Sequence, residues 1–173
     1  MVLETERLVL RPWKIEDEKS LYLLAQDAHV GPPCGWEPHK NLRESRLVLR
    51  DILMNDYTYA MVLKETGNVI GNISLMPYCE SRFCQNDKQG EVGFWLGYHY
   101  WGNGYMKEAC ERLIEYGLEE QGLEMIWCAY AIDNHNSMRV QQKCGFEFHH
   151  EDAYYARELD KEIKVKVNCI KKH

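Results

Sequence analysis

Two glycines one residue apart, Gly102 and Gly104, lie in the stretch "HYWGNGYMKEA", between an aromatic run and a helical pattern. Glycine has no Cβ, so a ligand can approach the backbone closely at such positions. The first N–H groups of a helix have no partner within the helix, and they lie at the positive end of its dipole. This order of residue types is therefore typical of a site for an anion such as a phosphate.

The two common phosphate loops do not fit these glycines. A Walker A loop needs GxxxxGK[ST], which is absent, and the dinucleotide pattern GxGxxG fails because Lys107 stands where its third glycine should be. A tight turn without a ligand explains a lone GxG equally well. The glycines alone therefore leave a phosphate site and a simple turn as alternatives.

A glutamate lies on the strand predicted just before these glycines. In "GEVGFWLGYHY" the period-two pattern puts Val92, Phe94 and Leu96 on one face of a strand, and Glu91 and Trp95 on the other. Carboxylates are rare on buried strands unless they are paired or functional. Glu91 is therefore the first candidate for a functional side chain.

The N-terminal half of the chain predicts a strand, two helices and a hairpin. Alternation in "RLVLRPW" predicts a first strand ending near Pro12, and apolar stripes predict helices over 15–28 and 42–53. Two β-rich runs flank "KETGNV", so a hairpin with Gly67 in its turn follows.

The C-terminal half predicts helices that alternate with strands. Apolar spacing predicts a helix over 104–120, then "MIWCAYA" predicts a strand and "NHNSMRVQQK" a short helix capped by Asn134. The tail predicts two last strands around "RELDKE". The order β-α-α-β-β-β-α-β-α-β-β predicts one α/β domain over residues 1–173 with a mixed sheet.

Composition narrows the class of protein. A formal charge of −6 argues against binding to nucleic acid or to an anionic membrane, which needs a basic face. No leader pattern and no long uncharged apolar run are present, so we expect a soluble, unprocessed chain. Seven cysteines without a CxxC pair favour the reducing cytoplasm, and the histidine spacing predicts no metal.

Three separated stretches resemble the GCN5-related N-acetyltransferases (GNAT). "HYWGNG" follows their signature [QR]xxGx[GA], which binds the pyrophosphate of acetyl-CoA, except that His99 replaces Gln or Arg. "YWGNGYMKEA" meets the pattern YWGxGYxxEA of the ribosomal-protein alanine acetyltransferase (RimJ/RimL-like) branch. "LETERLVLRPW" and "NHNSMRVQQKCGF" also resemble that branch, in its order and spacing.

The resemblance implies a fold and an activity. The fold is a mixed, mostly antiparallel seven-stranded twisted sheet with helices on both faces, whose two central strands splay apart into a slot for the pantetheine arm. The activity is direct acetyl transfer from the cosubstrate acetyl-CoA to a primary amine, either a protein N-terminus, a polyamine or another small amine, by a monomer or homodimer. An acyltransferase for longer acyl groups and a non-catalytic acyl-CoA-binding regulatory module are the alternatives.

The resemblance also implies roles for individual residues. Glu91 is the general base, or alternatively a structural carboxylate at a strand edge. Many relatives use a tyrosine to protonate the departing thiolate, but Gln141 stands at that position here. Ser137 then donates the proton, or alternatively acts only as a local helix cap. Backbone N–H groups around Trp95 and Leu96 stabilise the oxyanion. The implied cofactor-binding residues are Trp95, Leu96, His99, Trp101, Gly102, Asn103, Gly104, Tyr105, Met106, Asn134 and Lys143.

Two aromatic residues join Glu91 as candidates for contact with the acceptor. Trp36 lies in the Pro- and Gly-rich loop "HVGPPCGWEPHK", either as a lip that faces the substrate or as a cover for the core. Tyr154 either shapes the acceptor pocket or packs with only its hydroxyl in water.

Overall fold

A computed structural model describes residues 1–172 of the chain, and all eight strands in this range belong to one sheet. The sheet order is β1-β2-β3-β4-β5-β6-β8-β7, and every neighbouring pair is antiparallel except β5 and β6. The strands are β1 (Leu3–Glu4), β2 (Leu8–Pro12), β3 (Thr58–Leu63), β4 (Val69–Pro77), β5 (Gln89–Leu96), β6 (Met125–Ala131), β7 (Glu147–Ala156) and β8 (Lys161–Lys171). The mixed, mostly antiparallel sheet is as predicted.

Four α-helices connect the strands where helical periodicity predicts them. Helices α2 and α3 each continue into a wider five-residue turn, which accounts for the longer segments predicted at 42–53 and 104–120. Gly104 adopts φ +80°, so α3 begins one residue later than predicted. The helices are α1 (Glu18–Ala25), α2 (Leu42–Val48), α3 (Tyr105–Glu115) and α4 (His135–Lys143).

The strand count of seven was wrong by one. The chain turns back at Thr5, whose N–H donates to the Leu8 carbonyl at 3.0 Å and whose Oγ1 accepts from the Leu8 N–H at 2.9 Å. This turn pairs Leu3 with Leu10 and creates the two-residue strand β1. Two residues are too few to show a period of two, so the sequence pattern revealed only β2.

Helices cover both faces of the sheet, as the resemblance implies. On one face α3 buries Leu113 against strand residues such as Met61. On the other face α1 buries Leu21 against strand residues such as Val62. Met61 and Val62 are neighbours on β3, and alternation sends them to opposite cores. Burial of each large apolar side chain contributes about 1.5–3 kcal/mol.

The two central strands diverge. β5 and β6 pair only through Gln89–Met125, Gly90–Ile126 and Glu91–Trp127, although β5 continues to Leu96 and β6 to Ala131. Their outer edges stay paired with β4 and β8 over the same stretch. A slot therefore opens at the carboxyl ends of the two parallel strands, where open α/β sheets bind their ligands. The predicted splay is confirmed.

Three further features concern the described residues as a whole. Within residues 1–172 no helix has both the length and the apolar character to cross a membrane. No three His, Cys, Asp or Glu side chains in this range gather as metal ligands. All seven cysteines are free thiols, and those buried in the core pack as small apolar side chains.

Candidate active site

A cavity of about 600 Å³ follows the slot between β5 and β6. Its walls come from the ends of both strands, the glycine loop, α4, β7 and the loop between α1 and α2. The predicted site residues that line it are Glu91, Trp95, Leu96, Trp101, Gly102, Gly104, Tyr105, Met106, Asn134, Ser137, Lys143 and Tyr154. The fold thus brings most of the sequence-predicted residues together in one cavity.

Three predicted residues lie outside the cavity lining. The centre of the Trp36 ring lies 5.9 Å from that of Trp95 and 5.5 Å from that of His39. Trp36 packs against the hydrophobic core that lies under α1 and α2. Asn103 donates from Nδ2 to the carbonyls of Tyr100 and Trp101, so it shapes the glycine loop from within. The third, His99, is exposed on the short turn before that loop.

The glycine loop forms one end of the cavity. Gly102 and Gly104 both have left-handed φ, +81° and +80°. A Cβ added at Gly102 would meet no atom within 4 Å, so the backbone there is open to a ligand. The N-terminus of α3 follows directly and supplies free N–H groups. These features suit an anion.

Basic side chains also line the cavity near this loop. Lys107 on α3 and Lys143 and Arg139 on α4 all line the cavity. The carbonyl of Lys107 lies 3.8 Å from Cys144 Sγ, so the start of α3 adjoins the end of α4. Sequence reasoning missed Lys107 and Arg139 as site residues. The sequence signal for these two residues is a basic side chain on each of the two helices that border the slot. That signal can be recognised only once α3 is known to pack beside α4.

A hydrogen-bonded clamp fixes the start of α3. The Glu108 carboxylate accepts from Thr5 Oγ1 at 2.5 Å, from the Arg7 N–H at 2.8 Å and from Arg7 Nε at 2.7 Å. Arg7 Nη1 also donates to the Asn103 carbonyl at 3.0 Å. Burial raises the pKa of Glu108, but the bonds from Thr5 and Arg7 outweigh it, and the net pKa is lowered. The turn between β1 and β2 thus holds the glycine loop in place.

Loss of this clamp should destabilise the protein. Glu108→Ala removes three hydrogen bonds from a mostly buried carboxylate, so we expect the free energy of unfolding to fall by about 2 kcal/mol in urea denaturation. Glu111→Ala breaks only the exposed pair with Lys107 and should cost less than about 0.5 kcal/mol. Because the folded-state pKa of Glu108 is lowered, its stabilisation is present above the unfolded pKa and is lost as pH falls through the folded one. Equal losses in the two variants at pH 7 would contradict the clamp.

Glu91 lies where the β5–β6 ladder ends. Its Oε2 accepts from Ser81 Oγ at 2.7 Å and from the Arg82 N–H at 3.1 Å. Burial raises the pKa of Glu91 above its ordinary value, and these two hydrogen bonds offset only part of the rise. A carboxylate with a raised pKa is a stronger base, which suits proton abstraction. Sequence reasoning missed Ser81 and Arg82, since "CESRFCQNDK" shows only a polar connection.

Arg82 and Tyr154 form the wall beside Glu91. The Arg82 guanidinium lies 4.8 Å from the centre of the Tyr154 ring, and its Nη2 is 3.3 Å from Asp152 Oδ2. Burial raises the pKa of Tyr154, so its hydroxyl stays protonated at neutral pH. This end of the cavity therefore combines a carboxylate, a cation and an aromatic face.

Asn134 and Ser137 begin α4 at the slot. Asn134 Oδ1 accepts from the Ser137 N–H at 3.1 Å and so caps the helix, while its Nδ2 donates to the Pro33 carbonyl at 3.3 Å. Ser137 Oγ accepts from Gln141 Nε2 at 3.3 Å. The cap is therefore Asn134, as the sequence predicts, and Ser137 is among the residues that line the cavity.

Comparison with known proteins gives a family match and several relatives. Residues 7–147 match the acetyltransferase (GNAT) domain. The uncharacterized N-acetyltransferase p20 of Bacillus licheniformis is 27% identical over 152 residues, which cover 84% of this chain and 82% of p20.

Solved structures of similar fold cover nearly the whole chain. A GNAT-family acetyltransferase from Bacillus anthracis has a TM-score of 0.85 at 20% identity, with 99% of this chain and 98% of that one covered. Ribosomal-protein-S5-alanine acetyltransferase from Vibrio fischeri has a TM-score of 0.70 at 22% identity, with 96% and 95% covered. These likenesses show the fold, and the domain match shows the family. The chain belongs to the GNAT acetyltransferases and is an acetyltransferase enzyme.

Proposed function

We propose that the protein transfers the acetyl group of acetyl-CoA to a primary amine by direct attack in a ternary complex, and that residues 1–173 act as one domain. One observation carries the proposal. The splayed slot has a glycine loop that suits an anion and a partly buried carboxylate with a raised pKa where the strands part. The acceptor is a protein N-terminus, a polyamine or another small amine.

The slot fits acetyl-CoA, whose thioester supplies the acetyl group. The loop at Gly102 and the basic side chains of α3 and α4 suit its phosphates. The Gly97 N–H donates to the Ile70 carbonyl on β4 at 2.9 Å. Because the backbone polar groups of successive strand residues point to opposite sides, the N–H and carbonyl of Leu96 face the slot. The Leu96 carbonyl accepts from Trp101 Nε1 at 2.8 Å. The Leu96 N–H is thus our donor to the negative charge on the thioester oxygen.

Glu91 prepares the amine. An ammonium group holds its proton at pH 7, and only the neutral amine attacks. Glu91 accepts that proton and passes it to solvent. As the nitrogen–carbon bond forms and the carbon–sulfur bond breaks, the nitrogen releases a second proton, which balances the one that the sulfur takes up.

A cysteine in the cavity is not the nucleophile in this proposal. Cys34 lines the slot, and burial raises the pKa of its thiol to about 12. The thiolate is the nucleophilic form of cysteine, and almost none is present at such a pKa. This supports direct transfer to the amine without an acetylated enzyme.

Ser137→Ala tests the proton donor. We expect kcat to fall about tenfold or more while the affinity for acetyl-CoA stays within a few fold, because the hydroxyl acts only as the thiolate forms. Ser137→Thr keeps a hydroxyl at the same position and should retain more of the rate. A Ser137→Ala enzyme that turns over at the parent rate would make water the donor.

A thiol-release screen tests the function itself. The parent enzyme and acetyl-CoA are mixed with amino acids, polyamines, aminoglycosides and ribosomal N-terminal peptides, and free thiol is followed with time. We expect release that depends on one class of amine. Release only with a longer acyl-CoA would replace the acetyl assignment, and no release with any amine or acyl-CoA would overturn the proposal.

A further inference from the structure

Two buried amides form a chain that ends at the Ser137 hydroxyl. Asn168 Nδ2 on β8 donates to Gln141 Oε1 at 2.9 Å, and Gln141 Nε2 on α4 donates to Ser137 Oγ at 3.3 Å. Gln141 is 0% exposed and Asn168 is 5% exposed. Water therefore does not compete for these groups, and each hydrogen bond keeps its direction.

The direction of the chain decides where the serine hydrogen points. An amide oxygen only accepts and an amide nitrogen only donates. Because Asn168 donates to the oxygen of Gln141, the Gln141 NH₂ group faces Ser137, and Oγ is an acceptor in that contact. The hydroxyl hydrogen of Ser137 has no acceptor among residues 1–172 and belongs to a side chain that lines the slot. It is free to point into the slot.

We propose that Gln141 and Asn168 are positioning residues that aim the Ser137 hydroxyl hydrogen at the departing sulfur. The inference rests on the proposed function, in which Ser137 is the proton donor. The Ser137 O–H bond breaks as the S–H bond forms, and the oxygen regains a proton released by the amine nitrogen. The hydrogen bond from Gln141 stabilises the oxygen while it carries more negative charge.

A purely structural role for the chain is the competing explanation. The same two hydrogen bonds tie α4 to β8, so their loss would lower stability whether or not Ser137 donates a proton. The two roles differ in one respect. A positioning role needs the Ser137 hydroxyl, whereas a structural role does not.

A double-mutant cycle makes this distinction. Gln141→Met keeps the side-chain volume but removes the hydrogen-bond donor to Ser137 Oγ. The Ser137 hydroxyl hydrogen can then occupy three staggered positions, of which one points into the slot, so kcat should fall about threefold. The affinity for acetyl-CoA should not change. In the Ser137→Ala background the same substitution should cost nothing further in kcat. An equal loss in both backgrounds would show a structural role and overturn the inference.

Gln141→Glu gives a second readout that does not depend on the first variant folding. While the introduced carboxyl is protonated it donates to Ser137 Oγ as the amide does, and once ionised it can only accept and so takes the hydroxyl hydrogen away from the slot. The ratio of the variant kcat to the parent kcat should therefore fall as pH rises. A ratio that rises with pH would mean that the ionised, accepting form works better, so that Gln141 accepts from Ser137, which contradicts the inference.

These outcomes also separate the inference from the function on which it rests. No amine-dependent thiol release by the parent would defeat the proposed function. A parent that is active, with Ser137→Ala slow and no coupling to position 141, would defeat only the positioning role. Thermal unfolding of each variant identifies any loss of kcat that comes from loss of fold.

Discussion

Gly104→Val should lower the affinity for acetyl-CoA by about a hundredfold. Gly104 has φ +80°, which a β-branched residue adopts only under strain of about 1–3 kcal/mol. The loop would relieve this strain by shifting, and the first N–H groups of α3 would shift with it. A Cβ added at Gly104 would itself lie 3.6 Å from Arg7 Nη2, an ordinary contact, so the strain comes from the backbone conformation. Isothermal calorimetry with CoA and acetyl-CoA measures the effect.

Gly67→Val is the matched control. Gly67 also has left-handed φ, +71°, and no atom lies within 4 Å of an added Cβ, but it sits in the turn between β3 and β4. We expect comparable backbone strain with acetyl-CoA affinity unchanged. A folded Gly104→Val protein that binds CoA as tightly as the parent would remove the glycine loop from the cofactor site.

If Glu91 is the general base, Glu91→Gln should lower the rate by roughly 10²–10⁴, the usual contribution of general acid–base catalysis. The amide can still accept from Ser81 Oγ and the Arg82 N–H, so shape and cofactor binding should persist. The loss should shrink as pH rises, because more of the acceptor amine is then already neutral. The parent rate should itself fall as pH drops through the pKa of Glu91, which burial raises.

Initial rates across pH with the best acceptor test this role for Glu91. Glu80→Gln is the control, since Glu80 is an exposed glutamate outside the cavity lining and its neutralisation should leave the rate unchanged. A loss of the same size at every pH would assign Glu91 to holding the acceptor. Parent-like activity at pH 7 would make it a structural carboxylate.

Most of the fold follows from local patterns in the sequence. Alternation along β3 sends Met61 and Val62 to opposite cores, and such a pattern is visible without any tertiary contact. The exception is β1, because two residues are too few to show the alternation of apolar and polar side chains that identifies a strand. Its existence depends on the Thr5 turn and on a neighbouring strand that the local sequence does not reveal.

Most residues of the candidate site were predictable from motifs in the sequence, but the hydrogen-bond partners of those residues were not. Gly102 and Gly104 predict an anion site because the conformation of the glycines and the helix after them are local properties of the chain. The partners of key side chains lie far along the chain, as with Glu91 and Ser81, ten residues apart, or Gln141 and Asn168, 27 residues apart. The Gln141–Asn168 contact exists only once α4 has packed against β8, and the Glu91–Ser81 contact only once the connection before β5 has folded back onto that strand. No spacing rule predicts either contact.

Parallel measurement of both products tests direct transfer most directly. Protein and acetyl-CoA are incubated with and without the acceptor, free thiol and acetylated amine are quantified, and the protein mass is recorded in each sample. Direct transfer predicts no thiol and no acetylated protein without amine, and one acetylated amine per thiol released when amine is present. Thiol release without amine, together with an acetyl group on the protein at Cys34, would contradict it.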